Sequence, residues 1–526
     1  MQLRAMTTRA TSSDTVVLNF GKGTYTIDGT IVLRSHVIIK GAGKNKTTVM
    51  LDKGSSRGGQ KAFPDDTFIK VFGTLRHPVS VDISDIYFKL KDHDGIWWLE
   101  GERYGIKIYH GNRVRLHNVD SHFNNAHITN VDMHVCSNVT VTGCTFTNYN
   151  NSETGGCLWI RGEMHNVTVK GNKFFKYGKD ESLAIYDRVV DNTDKYVRGV
   201  ARRTNIIVED NEFHYGGYKG KNKDLTANCG MVFSLFTDEL KSQDKCTTED
   251  FHLRNNTFYI NDVCSRCIYI GFDPADSHKN IFIENNRIIN GKTGRDDKYY
   301  HQDIEVHDLS SNPDVIHITG NKIENSNIVI NQYGTKGYDF LMMRGGNVVV
   351  DGNQIVNRAT VNPENGKNTG VELIKCSTGG GIVNMTDNVF KGIKFIATVE
   401  ASKGIESFTL NASNNYFSGD TRIYCNKVKE LNLNFTNNTL VSNDMNFFLQ
   451  EFAEHGTLVF NNNKVSVATG NGQLMTHWSK HSTDKMRFDR LEVKNNVFKG
   501  VKSERELFKN FTNVKKRSVG YNTISR

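Results

Sequence analysis

The feature that most limits how this chain can fold is a short phrase that recurs up to its C-terminus. Its clearest copy is residues 167–174, Val-Thr-Val-Lys-Gly-Asn-Lys-Phe, an alternating stretch followed by Gly-Asn-x-Phe. The spacing between copies varies from 23 residues (Asn415 to Asn438) to 45 residues (Asn211 to Asn256). Such a unit predicts a solenoid whose coils carry inserted loops. The copies align at Cys144, Asn172, Asn211, Asn256, Asn286, Asn321, Asn353, Asn388, Asn415, Asn438, Asn463, Asn496 and Asn522.

Each part of the phrase has a structural explanation. Alternating apolar residues such as Val139 and Val141 send one face of a strand inward. The asparagine follows at a bend, where we expect it to adopt left-handed backbone angles. Stacked at about 4.8 Å per coil, its amide can bond to the coils above and below. The apolar residue two positions on is expected to fill the interior, as at Phe174, Phe213, Phe258, Ile288, Ile323 and Phe498.

The composition favours strands and turns and excludes several classes of protein. The 526 residues are 37% hydrophobic, with 46 Gly and 5 Pro. No run of eighteen apolar residues exists, so no membrane span is expected. The first thirteen residues lack an apolar segment, so no secretion signal is expected in the chain as given. The net charge is +9, but from Lys480 onward there are 13 Lys or Arg against 5 Asp or Glu, so the rest is nearly neutral and no nucleic-acid partner is predicted.

The nine cysteines do not form a recognisable metal or disulfide pattern. Their number is odd, and Cys264-Ser-Arg-Cys267 is a lone CxxC without a second pair. We therefore predict buried free thiols rather than metal or redox sites.

Residues 16–43 predict three short strands joined by glycine-rich turns. This opening, with the repeats that follow, resembles the pectate-lyase-like superfamily of right-handed parallel β-helices. That superfamily includes pectinases, polysaccharide lyases and phage tail spikes. The resemblance covers nearly the whole chain and implies an all-β fold, a single-stranded right-handed parallel β-helix of roughly 14–16 coils. Because the usual capping helix is missing, we expect either a fragment or ends covered by a neighbouring chain.

We expect one continuous β-helix domain over residues 1–526. Its opening coils are predicted at 1–90, coils with long inserts and a glycan groove at 91–375, and regular closing coils at 376–526.

A second strand precedes the asparagine phrase in many coils. Alternation sends its Ile, Leu and Val residues inward and its polar and aromatic residues outward. Aromatic rings can stack on sugars while charged groups bond hydroxyls, although such residues are also simply good strand surface. The predicted strands are Ile106–Tyr109, Leu158–Arg161, Leu183–Tyr186, Ile268–Ile270, Ile304–His307, Ile328–Asn331 and Val371–Ile374. The predicted substrate-binding residues are Trp159, Arg161, Tyr186, Arg188, Lys107, Tyr109, Tyr269 and His307.

Hydrolysis of a glycosidic bond needs two carboxyl groups. The stretch Gly178-Lys-Asp-Glu-Ser-Leu-Ala-Ile-Tyr-Asp187 resembles the Gly-Asp-Asp-x-Ile-Ala-Ile stretch of polygalacturonase-like hydrolases. The resemblance implies that Asp180 and Glu181 are the acidic pair, although the companion Asn-Thr-Asp and Gly-His-Gly motifs are missing. An acidic turn on a solvated loop is the alternative. The candidate catalytic residues are Asp180, Glu181, Asp187 and Glu153.

β-Elimination instead needs a base and a cation beside a uronate carboxylate. Residues of the right type are Lys107, Arg161, His127, His134 and Tyr186. Lyases of this superfamily often use calcium, which would need carboxylates such as Asp180, Glu181 and Asp187. Otherwise no cofactor and no metal site are predicted. The trio Asp92-His-Asp94, in a loop with two Trp, is a further candidate.

The residues and the resemblance together predict a protein that binds and cleaves a polysaccharide, either a glycoside hydrolase or a polysaccharide lyase. A phage tail-spike depolymerase is one form of this prediction. The alternative is a non-catalytic adhesin or structural spike. We expect an extracellular or virion-associated location, a polysaccharide partner and a possible homotrimer.

Overall fold

The computed structural model describes residues 13–27, 29–51, 67–91, 103–124, 128–149, 155–178, 181–186, 189–190, 196–197, 201–216, 231–237, 245–260, 266–290, 301–325, 338–357, 371–442, 448–450, 453–468, 472–474, 476–477, 487–511 and 513–525. The chain divides into two compact units, Met1–Lys279 and Asn280–Arg526. The predicted single domain with three regions stays a prediction.

In the first unit, strands pair in parallel with their equivalents one coil away, and three sheets result. Sheet 1 contains Ile31–Leu33, Thr67–Phe72, Arg103–Tyr109, Ile128–His134, Leu158–Arg161, Leu183–Tyr186, Met231–Phe236 and Arg266–Phe272. Sheet 2 contains Thr15–Asn19, His36–Lys40, Val79–Leu90, Gly111–Asn124, Ser137–Thr142, Met164–Lys170, Ala201–Glu209 and Cys246–Arg254. Sheet 3 contains Gly23–Ile27, Thr47–Leu51, Thr145–Tyr149, Lys173–Tyr177, Glu212–Gly216 and Thr257–Ile260. The long strands Val79–Leu90 and Gly111–Asn124 continue from sheet 2 into sheet 3.

The second unit repeats the pattern, and its long strands Val389–Ser413 and Tyr416–Thr436 pass through all three sheets. In this unit sheet 1 contains His301–Asp308, Tyr338–Arg344, Val371–Thr378, Phe448–Gln450 and Thr476–His477. Its sheet 2 contains the end of Ser277–Glu284 and Val315–Thr319, Asn347–Asp351, Gly381–Thr386, Ala453–Asn461, Arg487–Lys494 and Val514–Gly520. Its sheet 3 contains Arg287–Asn290, Lys322–Asn325, Gln354–Asn357, Thr439–Ser442, Lys464–Val467, Val497–Lys499 and Thr523–Ser525.

Few elements depart from this pattern. Val189–Val190 and Tyr196–Val197 form a small antiparallel pair. The described residues include one short helix, Glu504–Leu507, which begins after Ser503, whose hydroxyl accepts a hydrogen bond from the Glu506 amide. Over the residues that the structure describes, we find no helix with the length and apolar character needed to cross a membrane. The predicted all-β parallel β-helix is confirmed.

The core lies inside the coils and is built from like residues stacked in register. Val139 and Val141 face Val167 and Val169 in the next coil, and all four are buried. The predicted interior column is confirmed, because its aromatic rings stack along the solenoid with centroids 4.7–5.2 Å apart. The rings are Phe146, Phe174, Phe213 and Phe258.

The asparagine ladder has the predicted role. Asn388 Oδ1 accepts hydrogen bonds from the Asn353 backbone amide at 2.8 Å and from Asn353 Nδ2 at 3.1 Å. Its own Nδ2 donates to the Val350 carbonyl and to Asn415 Oδ1, both at 2.8 Å. The same bonding recurs from Asn415 to Asn522 and, in the first unit, from Cys144 to Asn256.

The predicted position of the left-handed residue is wrong by one. The residue before each ladder asparagine has the positive φ, as at Gly171 (63°), Asp210 (57°) and Asn414 (58°). A left-handed bend there turns the ladder side chain into the interior, where its amide is buried. Gly, Asn and Asp tolerate these angles best, which explains their frequency at that position.

The cysteine prediction is confirmed for the seven cysteines that the structure describes, which are all buried thiols outside any disulfide. Burial raises the pKa of the Cys136, Cys144, Cys157 and Cys376 thiols to about 12. Cys229 and Cys264 lie outside the described residues.

The ladder predicts a large stability difference between two asparagines of the second unit. Asn388→Ala leaves a buried amide and the Val350 carbonyl without partners, so we expect the free energy of unfolding to fall by about 3 kcal/mol. Asn411 also bonds to asparagines in neighbouring coils, but it is only partly buried. We expect Asn411→Ala to cost about 1 kcal/mol or less. Urea denaturation followed by circular dichroism measures both, and equal losses would contradict the ladder's role.

Candidate functional site

The outward side of sheet 1 in the first unit carries two columns of polar and aromatic side chains. One column aligns Lys107, Asp132, Trp159 and Ala184, and the next aligns Tyr109, His134, Arg161 and Tyr186. Neighbouring strands of a sheet are about 4.8 Å apart, so these side chains lie side by side. The structure therefore brings together five of the predicted substrate-binding residues: Lys107, Tyr109, Trp159, Arg161 and Tyr186.

These side chains point outward as predicted, but solvent does not reach them. Trp159 is 5% exposed, Tyr186 7% and Arg161 0%. Lys107 and Tyr109 are buried too. The open groove expected from the sequence is therefore not what the structure shows at this face, because alternation gives a side chain's direction and not its covering. The role of these residues in binding a glycan stays a prediction.

Arg161 is the centre of this group. Its Nε lies 2.8 Å from Asp132 Oδ1, and both side chains are fully buried. Its guanidinium also lies over the rings of Trp159 at 4.3 Å and Tyr186 at 4.7 Å. A buried charge needs such partners, because desolvation without them costs several kcal/mol.

Asp132 also binds His134, which lies two residues further along the same strand. Its Oδ2 is 2.5 Å from His134 Nε2, so an ionised Asp132 accepts a hydrogen bond from the N–H of that nitrogen. The other ring nitrogen, Nδ1, is buried and has no hydrogen-bond partner in the described part of the chain. This tautomer leaves the Nδ1 lone pair available as a base.

The pKa values agree with this assignment. Burial lowers the pKa of His134, and Asp132 only partly opposes the effect, so the imidazole is neutral at neutral pH. Burial acts to raise the pKa of Asp132, but Arg161 and His134 outweigh it and the pKa is lowered. The site therefore pairs a carboxylate with a neutral imidazole.

Lysine and tyrosine side chains complete the group. Lys107 Nζ lies 4.0 Å from the ring centroid of Tyr104 and 5.1 Å from that of Tyr109. The Tyr109 ring packs against His134 at 4.8 Å. Cations over aromatic faces are stabilised by the ring quadrupole. We call Tyr104, Lys107, Tyr109, Asp132, His134, Trp159, Arg161 and Tyr186 the Arg161 cluster.

A glycine makes room for the indole of Trp159. A Cβ on Gly156 would lie 2.3 Å from Trp159 Nε1 and 2.8 Å from the Glu181 carbonyl oxygen. Gly156 therefore sets how closely Trp159 packs on the sheet.

Of the four predicted catalytic carboxylates, the structure describes only Glu181. It is 8% exposed, and its carbonyl accepts a hydrogen bond from the Cys157 amide at 3.3 Å. It therefore lies one coil beyond the start of the Trp159 strand. Glu153, Asp180, Asp187 and the predicted binding residue Arg188 lie outside the described residues, as do His127, the Asp92–Asp94 trio and the strand Ile328–Asn331.

Tyr269 lies further along sheet 1, where its ring is 6.0 Å from that of Phe236, which in turn stacks on Tyr186 of the Arg161 cluster at 5.2 Å. Tyr269 is partly exposed and stacks with Arg266, whose guanidinium lies 4.9 Å from its ring. His307 belongs to the second unit, where it aligns with Arg344.

Sheet 1 of the second unit carries a buried carboxyl group, that of Asp339, whose pKa is raised. Asp339 is fully buried and aligns with Gln302 and Glu372 in the neighbouring coils. Burial raises the pKa of Asp339 to about 8; Glu372 adds to this rise, while Lys375 opposes it. Glu372 lies 3.8 Å from Lys394, so a neutral acid and a paired carboxylate are neighbours here.

Sequence reasoning missed Asp132, Tyr104 and Asp339. The signal for Asp132 was present, because Ile128–His134 alternates like the other sheet 1 strands and places Asp132 and His134 outward. Asp339 had no local signal, since its raised pKa depends on burial and on a residue in the next coil.

The described residues do not test the prediction of a calcium site. Two of its three carboxylates, Asp180 and Asp187, lie outside them. Within the described ranges, no group of three or more His, Cys, Asp or Glu side chains has an arrangement that could hold a metal ion.

Comparisons with known proteins are limited to solved structures, because no protein-family model and no curated protein matches this chain. A DFA-IIIase from Arthrobacter chlorophenolicus A6, without its lid, is 11% identical over 74% of this chain and 87% of its own, with a TM-score of 0.43. A mannuronic-acid-specific polysaccharide family 6 lyase from human gut microbiota is 10% identical over 93% of this chain and 89% of its own, with a TM-score of 0.33.

The catalytic unit of a GH87 α-1,3-glucanase from Streptomyces thermodiastaticus is also similar. It is 12% identical over 99% of this chain and 66% of its own, with a TM-score of 0.31. All three TM-scores are below 0.5, and all three identities are 12% or less.

Proposed function

We propose that this protein cleaves an acidic polysaccharide by β-elimination at the Arg161 cluster. The observation that carries the proposal is the Asp132–His134 pair, which leaves the Nδ1 lone pair of a neutral imidazole unpartnered beside the buried guanidinium of Arg161. A base and a cation are the two groups that elimination from a uronate requires.

The roles follow from the chemistry of the step. His134 Nδ1 takes the proton on the carbon next to the uronate carboxylate, and the electron pair left behind forms a carbon–carbon double bond. The bond between the β-carbon of the same uronate and the oxygen that links it to the next sugar breaks at the same time. The departing oxygen takes a proton from the phenol of Tyr109, whose ring packs against His134. Asp132 holds the imidazole in the required tautomer throughout.

The other members of the cluster suit the substrate. Arg161 and Lys107 carry the charge needed beside a carboxylate whose α-carbon loses a proton. Trp159 and Tyr186 offer aromatic surface for pyranose rings. Because these side chains are buried in this structure, the proposal requires the site to open when a glycan binds. Exclusion of water strengthens the electrostatic interactions once the glycan is in place.

Incubation with capsular, pectic and algal polysaccharides tests the proposed reaction. We expect ultraviolet absorbance from an unsaturated uronate with at least one acidic glycan, because elimination leaves a double bond on the new chain end. New reducing ends without absorbance would contradict elimination and favour hydrolysis. Binding without cleavage would favour the non-catalytic adhesin or spike.

A substitution of the base tests its assignment. His134→Gln removes the basic nitrogen while an amide can still reach Asp132, so we expect kcat/KM to fall by about 10²- to 10⁴-fold. The control is His165→Gln, which changes a partly exposed histidine on sheet 2 that bonds to Thr204 and Glu163. Wild-type turnover by His134→Gln would rule out His134 as the base.

The pH profile gives an independent check. Burial lowers the pKa of His134 from 6.5, so the base stays unprotonated as the pH falls through 6.5. We expect the acidic limb of kcat/KM to lie below pH 6.5, since that limb reports the base in the free enzyme. An acidic limb above pH 6.5 that disappears in His134→Gln would contradict the effect of burial.

Hydrolysis is the second candidate, and one observation in the second unit favours it. Asp339 has a pKa of about 8 and keeps its proton at neutral pH, as a general acid must. Glu372 is its neighbour in register, and such neighbours have backbones about 4.8 Å apart. The two carboxyl groups therefore extend from adjacent positions of the sheet, and a retaining glycosidase needs its two carboxyl groups roughly 5–5.5 Å apart.

Asp339→Asn separates this role from a structural one. The folded chain keeps the Asp339 proton up to a pH of about 8, whereas the ordinary pKa is 3.8, so its contribution to stability falls as the pH rises between these values. We expect Asp339→Asn to raise the melting temperature at pH 8 and to change it little at pH 4. Any hydrolytic activity should be lost in the same variant.

Two outcomes would contradict this account of Asp339. One is a melting temperature that does not rise at pH 8, and the other is hydrolysis that survives the substitution. Asp314→Asn, at a partly exposed position just before the strand Val315–Thr319, controls for the loss of a carboxylate. The predictions of a homotrimer and of an extracellular or virion-associated location stay predictions.

A further inference from the structure

A column of polar side chains lies inside the first unit, at the end of sheet 3. Asn148, Lys176, Tyr215 and Ile260 occupy the same position in successive coils, and all four are buried. Ile260 shows that an apolar side chain fills this position without difficulty. The fold therefore does not require a lysine here.

Lys176 bonds to the backbone that leads into sheet 1. Its Nζ donates to the Gly155 carbonyl at 2.6 Å and to Asn148 Oδ1 at 3.0 Å. Asn148 Nδ2 in turn donates to the carbonyls of Ile128 at 2.7 Å and Gly156 at 3.1 Å. Gly155 and Gly156 precede Leu158–Arg161, and Ile128 begins the strand Ile128–His134.

These carbonyls lie at the start of, or just before, two strands that carry residues of the Arg161 cluster. Ile128–His134 bears Asp132, and Leu158–Arg161 bears Arg161. Gly156 also sets the position of Trp159, because a Cβ there would overlap the indole nitrogen. Trp159 packs 4.3 Å from the Arg161 guanidinium, which pairs with Asp132. Lys176 is therefore linked to the proposed site through Gly155, Gly156, Trp159 and Arg161.

The free-energy cost of burying an ammonium group indicates that Lys176 has a specific role. Burying an ammonium group costs several kcal/mol before hydrogen bonds offset it. Isoleucine at the equivalent position avoids that cost, yet the lysine lies in a coil next to the Arg161 cluster. The lysine instead donates hydrogen bonds to the Gly155 carbonyl and to Asn148 Oδ1, and these bonds hold Gly155 and Gly156 next to Trp159.

We propose that Lys176 is a positioning residue for the Arg161 cluster and holds Gly155–Gly156 so that Trp159 and Arg161 keep their geometry. The inference rests on the proposed function for its catalytic consequence. Its structural consequence, the placement of Trp159, is measurable without any activity.

Lys176→Met tests the inference because it keeps the side-chain volume and removes the donors. In a background where Trp97, Trp98 and Trp478 are replaced by Phe, Trp159 is the sole tryptophan. We expect acrylamide quenching of Trp159 fluorescence to rise severalfold in Lys176→Met. We also expect kcat to fall by about 10- to 100-fold with KM nearly unchanged, as small displacements near reacting groups produce.

Two controls separate positioning from general loosening. Lys173→Met removes a lysine from the same strand whose side chain is half exposed, and it should leave quenching and kcat unchanged. Phe213→Leu loosens the core of the next coil without touching Gly155, and it should lower stability with little effect on Trp159. Equal quenching in Phe213→Leu and Lys176→Met would overturn the inference, as would an unchanged Trp159 signal in a folded Lys176→Met.

A second variant covers the case in which Lys176→Met does not fold. Asn148→Asp keeps an oxygen for Lys176 but loses the donors to Ile128 and Gly156, so the same rise in quenching is expected. No rise there would also overturn the inference. If the wild-type protein cleaves no glycan, the proposed function fails, and Trp159 quenching still decides the role of Lys176.

Discussion

The amide of the ladder asparagine is the interaction on which the rest of the structure depends. At each left-handed bend the backbone turns, and its buried amide and carbonyl need partners that water cannot supply. The asparagine provides both, since its oxygen accepts from the preceding coil and its nitrogen donates to a carbonyl, as Asn388 does. Loss of one amide leaves several buried groups unsatisfied at once. The ladder therefore holds the pitch and the register of neighbouring coils together.

A fixed register places like positions of successive coils on top of one another. In the interior this stacks Phe146, Phe174 and Phe213, with near-parallel rings. On the outward side of sheet 1 the same register aligns Asp132 with Trp159 and His134 with Arg161. Asp132 and Arg161 are therefore diagonal neighbours, and their attraction offsets the cost of burying both charges. The candidate site thus depends on the repeat, because Asp132 and Arg161, 29 residues apart along the chain, become neighbours.

Much of this arrangement could be predicted from the sequence, and the failures have physical causes. The strand Leu158–Arg161 and the interior Phe174 follow from alternation, which is a local property. The left-handed residue lies one position before the predicted one, because Gly, Asn and Asp are common on both sides of the bend. The burial of Arg161 was not predictable, since it depends on what covers the sheet. Asp132 was predictable in principle, from the alternation of Ile128–His134.

The central claim is that an acidic glycan binds at the Arg161 cluster, with its uronate next to His134. A crystal structure of His134→Gln soaked with a uronate oligosaccharide from a glycan that the wild-type protein binds tests this most directly. The account predicts the uronate carboxylate against Arg161 and Lys107, with the carbon that loses its proton facing residue 134. An oligosaccharide bound elsewhere on the chain, with the Arg161 cluster still closed, would contradict it.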